Sequence, residues 1–280
     1  MAERLSVYAG FVKLEHTIFS LPLIVAGAWL GAGGWPAPAT LGWIAAAAVG
    51  GRVVAMGLNR LIDRELDARN PRTRQRELPR HAMTPAEAWG IVLGAGALYV
   101  AAAVALGPVC ARLAPIPVAL FVVYPYLKRV TSLAHLGLGL AWAMAPLGGW
   151  LAARGSLSGV SGIGWLWLFS VLWVTGFDII YATMDEAFDR DAGLHSLPAR
   201  VGSARALRIA AGLHGAAWLA LLALWRAQLG GDPAALPWLA GIAGLFLWQH
   251  AVAARRPVFA FLHLNGVLGF LVLGFTATAR

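Results

Sequence analysis

Asn59, Asp63 and Asp67 recur at four-residue intervals in N-R-L-I-D-R-E-L-D, and Asp185 and Asp189 repeat that interval in D-E-A-F-D. Side chains four apart lie one above the other on a helix face. Each set closes an apolar segment, so two carboxylate pairs can converge on divalent cations through hard oxygen ligands, with the Asn59 amide as a possible further ligand. Arg52 lies seven residues before Asn59; at about 100° per residue, Arg52, Asn59, Asp63 and Asp67 share a sector of roughly 80°. Asp178 lies seven residues before Asp185, with Tyr181 beside it. A solvated helix end would also carry charges at this spacing. Arg52 and Asp178, however, fall well inside apolar runs, where a charge is costly and should face a polar cavity. Arg64, Glu65, Glu186 and Asp191 fall off these faces and read as solvated residues.

Basic residues supply the other half of the chemistry. Arg72, Arg74 and Arg76 follow the first acidic set, and Lys128 and Arg129 follow Tyr124 in Y-P-Y-L-K-R. Lys and Arg grip diphosphate, Arg through bidentate contacts. Carboxylate pairs, cationic grips and an apolar surround together describe a lipid diphosphate bound through Mg²⁺.

The elements that must position these groups are membrane helices. The chain is 59% hydrophobic and 12% charged, which excludes an ordinary soluble domain. Its 280 residues divide into apolar segments near 17–34, 41–62, 86–107, 109–126, 133–153, 162–184, 204–227, 234–253 and 257–278. Each approaches the roughly 20 residues that a span requires. The fourth is the weakest, because Pro115 and Pro117 interrupt it. An all-α class follows, since lipid forbids unsatisfied backbone and no alternating barrel pattern occurs. The expectation is one membrane-embedded domain over 1–280, with polar stretches at 63–85 and 185–205 on one side. The first apolar run, which follows Glu3 and Glu15, reads as a span rather than a cleaved signal peptide.

A net charge of +9 invites a nucleic-acid partner, but the distribution argues against one. With the N-terminus inside, 17 of the 22 basic residues fall on inner loops and ends, and Arg112, Arg154, Arg226 and Arg280 fall outside. That asymmetry is the positive-inside rule. It predicts the inner (cytoplasmic) membrane, with both acidic loops facing the cytoplasm. The single Cys110 permits no internal disulfide and no thiolate metal site. His16, His135 and His263 lie in or at the ends of spans and His195 in the second loop; each reads more readily as a packing or loop residue than as a ligand. No Walker, zincin or nucleophile-elbow motif is present. The two acidic stretches also echo one another weakly, hinting at duplicated helical units.

Over nearly its whole length the chain resembles the UbiA superfamily of intramembrane prenyltransferases. The motifs N-x-x-x-D-x-x-x-D, Y-x-x-x-K and D-x-x-x-D are met in order by Asn59/Asp63/Asp67, Tyr124/Lys128 and Asp185/Asp189. One departure is Arg60, where many members carry Asp. K-L-E-H-T-I-F-S-L-P, L-A-H-L-G-L-G and the stretch from Gly176 to Arg200 are similar to the 4-hydroxybenzoate polyprenyltransferase-like branch thought to serve menaquinone synthesis by the futalosine route.

The resemblance implies about nine helices around a central cavity capped by the cytoplasmic loops. It implies two Mg²⁺ ions, replaceable by Mn²⁺, on Asp63, Asp67, Asp185 and Asp189. The partners would be a polyprenyl diphosphate, an aromatic acid acceptor and the bilayer, with no obligate protein partner. Lys128 and the Arg groups would stabilise departing diphosphate, and Asp178 or Tyr181 would orient or deprotonate the acceptor. Arg52 would meet the acceptor carboxylate, the diphosphate or Asp178. The acceptor stays open between 4-hydroxybenzoate and a dihydroxynaphthoate such as 1,4-dihydroxy-6-naphthoate. Rival readings are a haem or glycerol-phosphate acceptor, a CDP-alcohol phosphotransferase (whose D-G-x-x-A-R signature is missing) and a transporter.

Overall fold

A computed structural model describes residues 2–13 and 17–278; Glu15, His16 and Arg280 lie outside these. The regular structure of the described residues is all helical: α1 (Ala2–Val12), α2 (Thr17–Ala32), α3 (Pro38–Ile62), α4 (Arg64–Arg69), α5 (Pro85–Ala105), α6 (Pro108–Leu113), α7 (Pro115–Leu127), α8 (Ala134–Arg154), α9 (Gly164–Ala182), α10 (Glu186–Asp191), α11 (Leu197–Val201), α12 (Ser203–Ala227), α13 (Leu236–Ala253), α14 (Pro257–Phe259) and α15 (Asn265–Thr278). Among the described residues, eight helical segments are long and apolar enough to cross a membrane, and α2 is a shorter apolar helix. These match the nine apolar segments of the sequence. The weak fourth is one span, Pro108–Leu127, split at Ala114, because the proline at 115 cannot continue the hydrogen-bond ladder.

The spans close into a ring. α3 packs on α5 and α7, α7 on α8, α8 on α2 and α9, α9 on α12, and α13 on α12 and α15, with α15 returning to α2. Bilayer lipid offers no hydrophobic reward for helix association, so close backbone approach must supply it. Gly27 and Gly31 on α2 do so: a Cβ at either would collide with the carbonyl oxygen of Pro146 or Trp150 on α8. The largest core, around Phe169, Trp173, Leu221 and Phe275, lies among α2, α8, α9, α12, α13 and α15. The opposite half, where α3, α7 and α8 face α9, is left hollow.

The helices carrying the acidic motifs differ from the sequence expectation. Asn59 through Asp67 do not lie on one uninterrupted helix: α3 stops at Ile62, and Asp63 caps it while starting α4. The Asp67 N–H still donates to the Asp63 carbonyl at 2.8 Å, so the four-residue register survives the break. In the second motif a 3₁₀ turn over Thr183–Asp185 separates α9 from α10.

Candidate active site

A cavity of about 580 Å³ opens at the end of the bundle where both acidic motifs sit. Asp63, Asp67, Asp185, Asp189, Lys128, Asp178, Tyr181, Arg52, Asn59, Arg72, Arg76 and Tyr124 all line it. Long-range packing therefore gathers twelve residues that the sequence singled out by spacing, charge or motif. Arg129 is the exception. It does not line this cavity; it reaches the Ile62 carbonyl (2.9 Å) and the Asp63 carboxylate (3.3 Å) from a separate groove. Lys128 and Arg129 both follow the end of α7, and the two side chains take different oxygens of Asp63, Oδ2 and Oδ1. Arg74 is exposed.

The motif carboxylates are held mainly by cations. Asp63, only 3% exposed, takes the Lys128 ammonium at 2.6 Å and the Asn59 amide at 3.3 Å. Asp67 accepts two bonds from Arg76, at 3.0 and 2.9 Å. Asp185 accepts from Arg72 Nε and from Asn70 Nδ2, both at 2.8 Å. Arg72 also donates to the Tyr181 hydroxyl at 2.6 Å. Burial disfavours the Arg72 charge, but its hydrogen bonds to Asp185 and the charges of Tyr181 and Asp185 outweigh that, so its pKa lies above the ordinary guanidinium value. The loop that follows the first motif thus clasps the second.

The donor set suits a hard cation. Asp63, Asp67, Asp185, Asp189 and the Asn59 amide present oxygen ligands in one cavity, without thiolates. Among the described residues no three His, Cys, Asp or Glu side chains cluster into a ready-made metal cage.

Behind the polar mouth stands an aromatic wall. Trp142 meets Phe177 (5.9 Å between ring centroids), Phe177 meets Phe261 (5.5 Å), and Phe261 meets Tyr181 (4.4 Å). Arg52 lies over Trp142 at one end (5.6 Å) and Arg72 over Tyr181 at the other (4.7 Å). Phe261 reaches this wall from a π-helical turn, Ala260–Leu264, whose carbonyls are bound by Gln249 and Asn265. Past Arg52, Phe121 and Trp142, which line both spaces, an apolar chamber of about 210 Å³ runs between α3, α7 and α8.

His135 belongs to the site, against the sequence expectation of a packing or loop role. Its Nδ1 lies 2.6 Å from Asp178 Oδ2, and its Nε2 accepts the Leu197 N–H at 3.1 Å. Because Nε2 accepts, the ring proton of the neutral imidazole sits on Nδ1 and is donated to Asp178. Asp178 therefore has His135 as partner, a contact 43 residues apart that no spacing signal could reveal. Arg60, also in the lining of this cavity, is engaged in the fold: it is 5% exposed, pairs with Glu77 and donates to the Gly10 carbonyl (3.3 Å), fastening the loop to α1.

A family model described as the UbiA prenyltransferase family matches residues 20–276. A 4-hydroxybenzoate solanesyltransferase from Synechocystis is 34% identical over 63% of this chain, and the match spans 61% of that relative's length. A 4-hydroxybenzoate octaprenyltransferase from Sodalis glossinidius is 30% identical over 96% of this chain and 94% of its own. Among solved structures, the apo form of a UbiA homologue from Aeropyrum pernix gives a TM-score of 0.85 at 35% identity, covering 92% of this chain and 95% of that one. A UbiA homologue from Archaeoglobus fulgidus bound to DMAPP and Mg²⁺ gives 0.74 at 19% identity, covering 96% and 97%, a likeness of fold.

Proposed function

Because this chain belongs to the UbiA prenyltransferase family, we propose that it transfers a polyprenyl group from a polyprenyl diphosphate to a hydroxylated aromatic acid of quinone biosynthesis, releasing diphosphate. The observation that carries this reading is the joining of two unlike spaces: a mouth lined by paired carboxylates and cations, and an apolar chamber behind it. One suits a diphosphate and the other an isoprenoid chain. The acceptor is 4-hydroxybenzoate, as in the names of the similar curated proteins, or a dihydroxynaphthoate. The membrane is the cytoplasmic one, with the acidic loops on its inner side, as the distribution of Lys and Arg implies.

Asp63, Asp67, Asp185 and Asp189 would hold Mg²⁺, which when bound would supply charge neutralisation to the diphosphate. Lys128, Arg72 and Arg76 are held in the mouth by those same carboxylates, and they transfer their hydrogen bonds to the diphosphate as it enters. The allylic C–O bond breaks and the electron pair leaves with the diphosphate. The carbocation that remains faces Trp142, Phe177, Tyr181 and Phe261, whose ring faces stabilise positive charge. Arg52 orients the acceptor carboxylate through its planar fork. The acceptor ring forms the new C–C bond and then loses its ring proton to the departing diphosphate, while Asp178, oriented by His135, accepts the hydrogen bond of the acceptor hydroxyl. Walls of apolar side chains keep water from capturing the carbocation.

The test is purified protein in lipid vesicles with a polyprenyl diphosphate, Mg²⁺ and a panel of acceptors. Prenylated hydroxy-acid product should appear together with diphosphate. Product only with haem or a glycerol phosphate, or none with any acceptor, would sink the assignment.

A further inference from the structure

A second cavity of about 680 Å³ lies on the outside of the bundle, behind the first acidic motif. Its polar rim carries Arg64 and Arg69 of α4 and Arg129, with one acid, Glu65, 3.6 Å from Arg64. Trp89, one turn into α5, and Tyr126, in the last turn of α7, stand below the rim, both half exposed. Leu58 and Val122, each a turn or more in from the ends of α3 and α7, give the lining its aliphatic part. The order is cations, then amphipathic aromatics, then aliphatics along the ends of α3, α5 and α7. It matches the phosphate, glycerol and acyl layers of a lipid, and the aromatic level is where Trp and Tyr sit at membrane interfaces.

Arg129 links this groove to the reaction chamber. It lies over the Tyr126 ring (5.0 Å) at the rim of the groove, while its Nη2 reaches Asp63 Oδ1 at 3.3 Å. Leu66 and Leu194 line both spaces and form the rest of the partition. Asp63 is thus neutralised from two sides, by Lys128 within the chamber and Arg129 from the groove.

We propose that the groove binds the headgroup of an anionic phospholipid, and that the bound phosphate draws Arg129 off Asp63, freeing the carboxylate for the metal. Three guanidinium groups against one carboxylate fit a singly charged phosphodiester. The groove has no carboxylate pair to hold a metal–diphosphate, which distinguishes it from the substrate mouth. The coupling to metal rests on the assignment of Asp63 above; the lipid site itself does not.

The test is native mass spectrometry of the full chain, free of metal and substrate, after exchange into phosphatidylcholine or phosphatidylglycerol. Wild type should retain phosphatidylglycerol in preference to phosphatidylcholine. An arginine near an anionic lipid is worth about fivefold in binding, so R69Q should lose about fivefold and R64Q/R69Q about 30-fold. Both side chains are exposed, so folding should persist, checked by thermal unfolding in detergent. In nanodiscs, phosphatidylglycerol should lower the Mg²⁺ concentration needed for half-maximal turnover, and R64Q/R69Q should abolish that shift. Equal retention of the two lipids, or by variant and wild type, would overturn the site. Displacement of retained lipid by geranyl diphosphate or inorganic phosphate would overturn the choice of occupant. An unchanged Mg²⁺ requirement would overturn the link through Arg129. If prenyl transfer fails in every membrane while retention follows this pattern, the proposed activity falls and the lipid site stands.

Discussion

Asp63 and Asp185 share one backbone conformation, φ −94°, ψ 5° and φ −108°, ψ 5°, and each ends one helical segment and begins the next. These angles fall in the sparsely used region between α and β where many active-site residues sit. The common geometry extends the weak sequence echo between the motifs to three dimensions. It aims the first carboxylate of each pair into the same cavity and leaves the second one turn further on. Replacing Asp63 or Asp185 by Asn keeps side-chain size while removing the charge. Each change should lower turnover by about 10²–10³-fold, the scale of a preorganised electrostatic group. Asp67→Asn and Asp189→Asn should follow. Wild-type rates in three of the four variants, measured by diphosphate release, would refute the metal assignment.

Metal removal should abolish activity. Oxygen donors dominate the cavity, and among the described residues no His or Cys cluster exists to favour Zn²⁺. Excess EDTA should therefore stop diphosphate release, and Mg²⁺ or Mn²⁺ should restore it. Restoration by Zn²⁺ alone would contradict the oxygen-ligand site.

Arg52 lies over Trp142 and lines both the polar mouth and the apolar chamber. Arg52→Lys retains charge and loses the bidentate fork. A role in orienting the acceptor predicts a higher KM for the aromatic acid and little change for the prenyl diphosphate. Steady-state kinetics with each substrate varied separately will show the split; unchanged values for both would make Arg52 structural.

His135→Ala removes the donor that orients Asp178 and exposes the Leu197 N–H. Orienting partners of this kind are typically worth about 10–100-fold, so kcat should fall by that much with KM for prenyl diphosphate near wild type. His135→Asn can still donate towards Asp178 and should recover part of the loss. Equal kcat in Ala and Asn variants, with a matching loss of thermal stability, would reduce His135 to a packing residue.

Arg60 and Glu77 form a buried pair that joins the loop after the first motif to α1. Removing one partner of such a pair costs roughly 3–5 kcal/mol, because the other charge stays buried. Arg60→Met should thus lower the unfolding temperature sharply, and Arg60→Met with Glu77→Met should restore much of it. Thermal unfolding in detergent decides; a single variant as stable as wild type would leave Arg60 outside the loop's support.

Hydropathy alone determined the span pattern, because a helix in lipid must be predominantly apolar along its length. The four-residue acidic spacing marked the site because helical periodicity is local: Asp63 and Asp67 share a face whatever the rest of the chain does. Tertiary structure decided which residues meet across the bundle. Arg72 clasps Asp185 over a separation of 113 residues. His135 pairs with Asp178 because α8 packs on α9. Arg129, adjacent to Lys128 just past the end of α7 at Leu127, takes Asp63 Oδ1 from a separate groove while Lys128 takes Oδ2 from within the cavity. Periodicity records which face a side chain occupies, while packing chooses what that face meets.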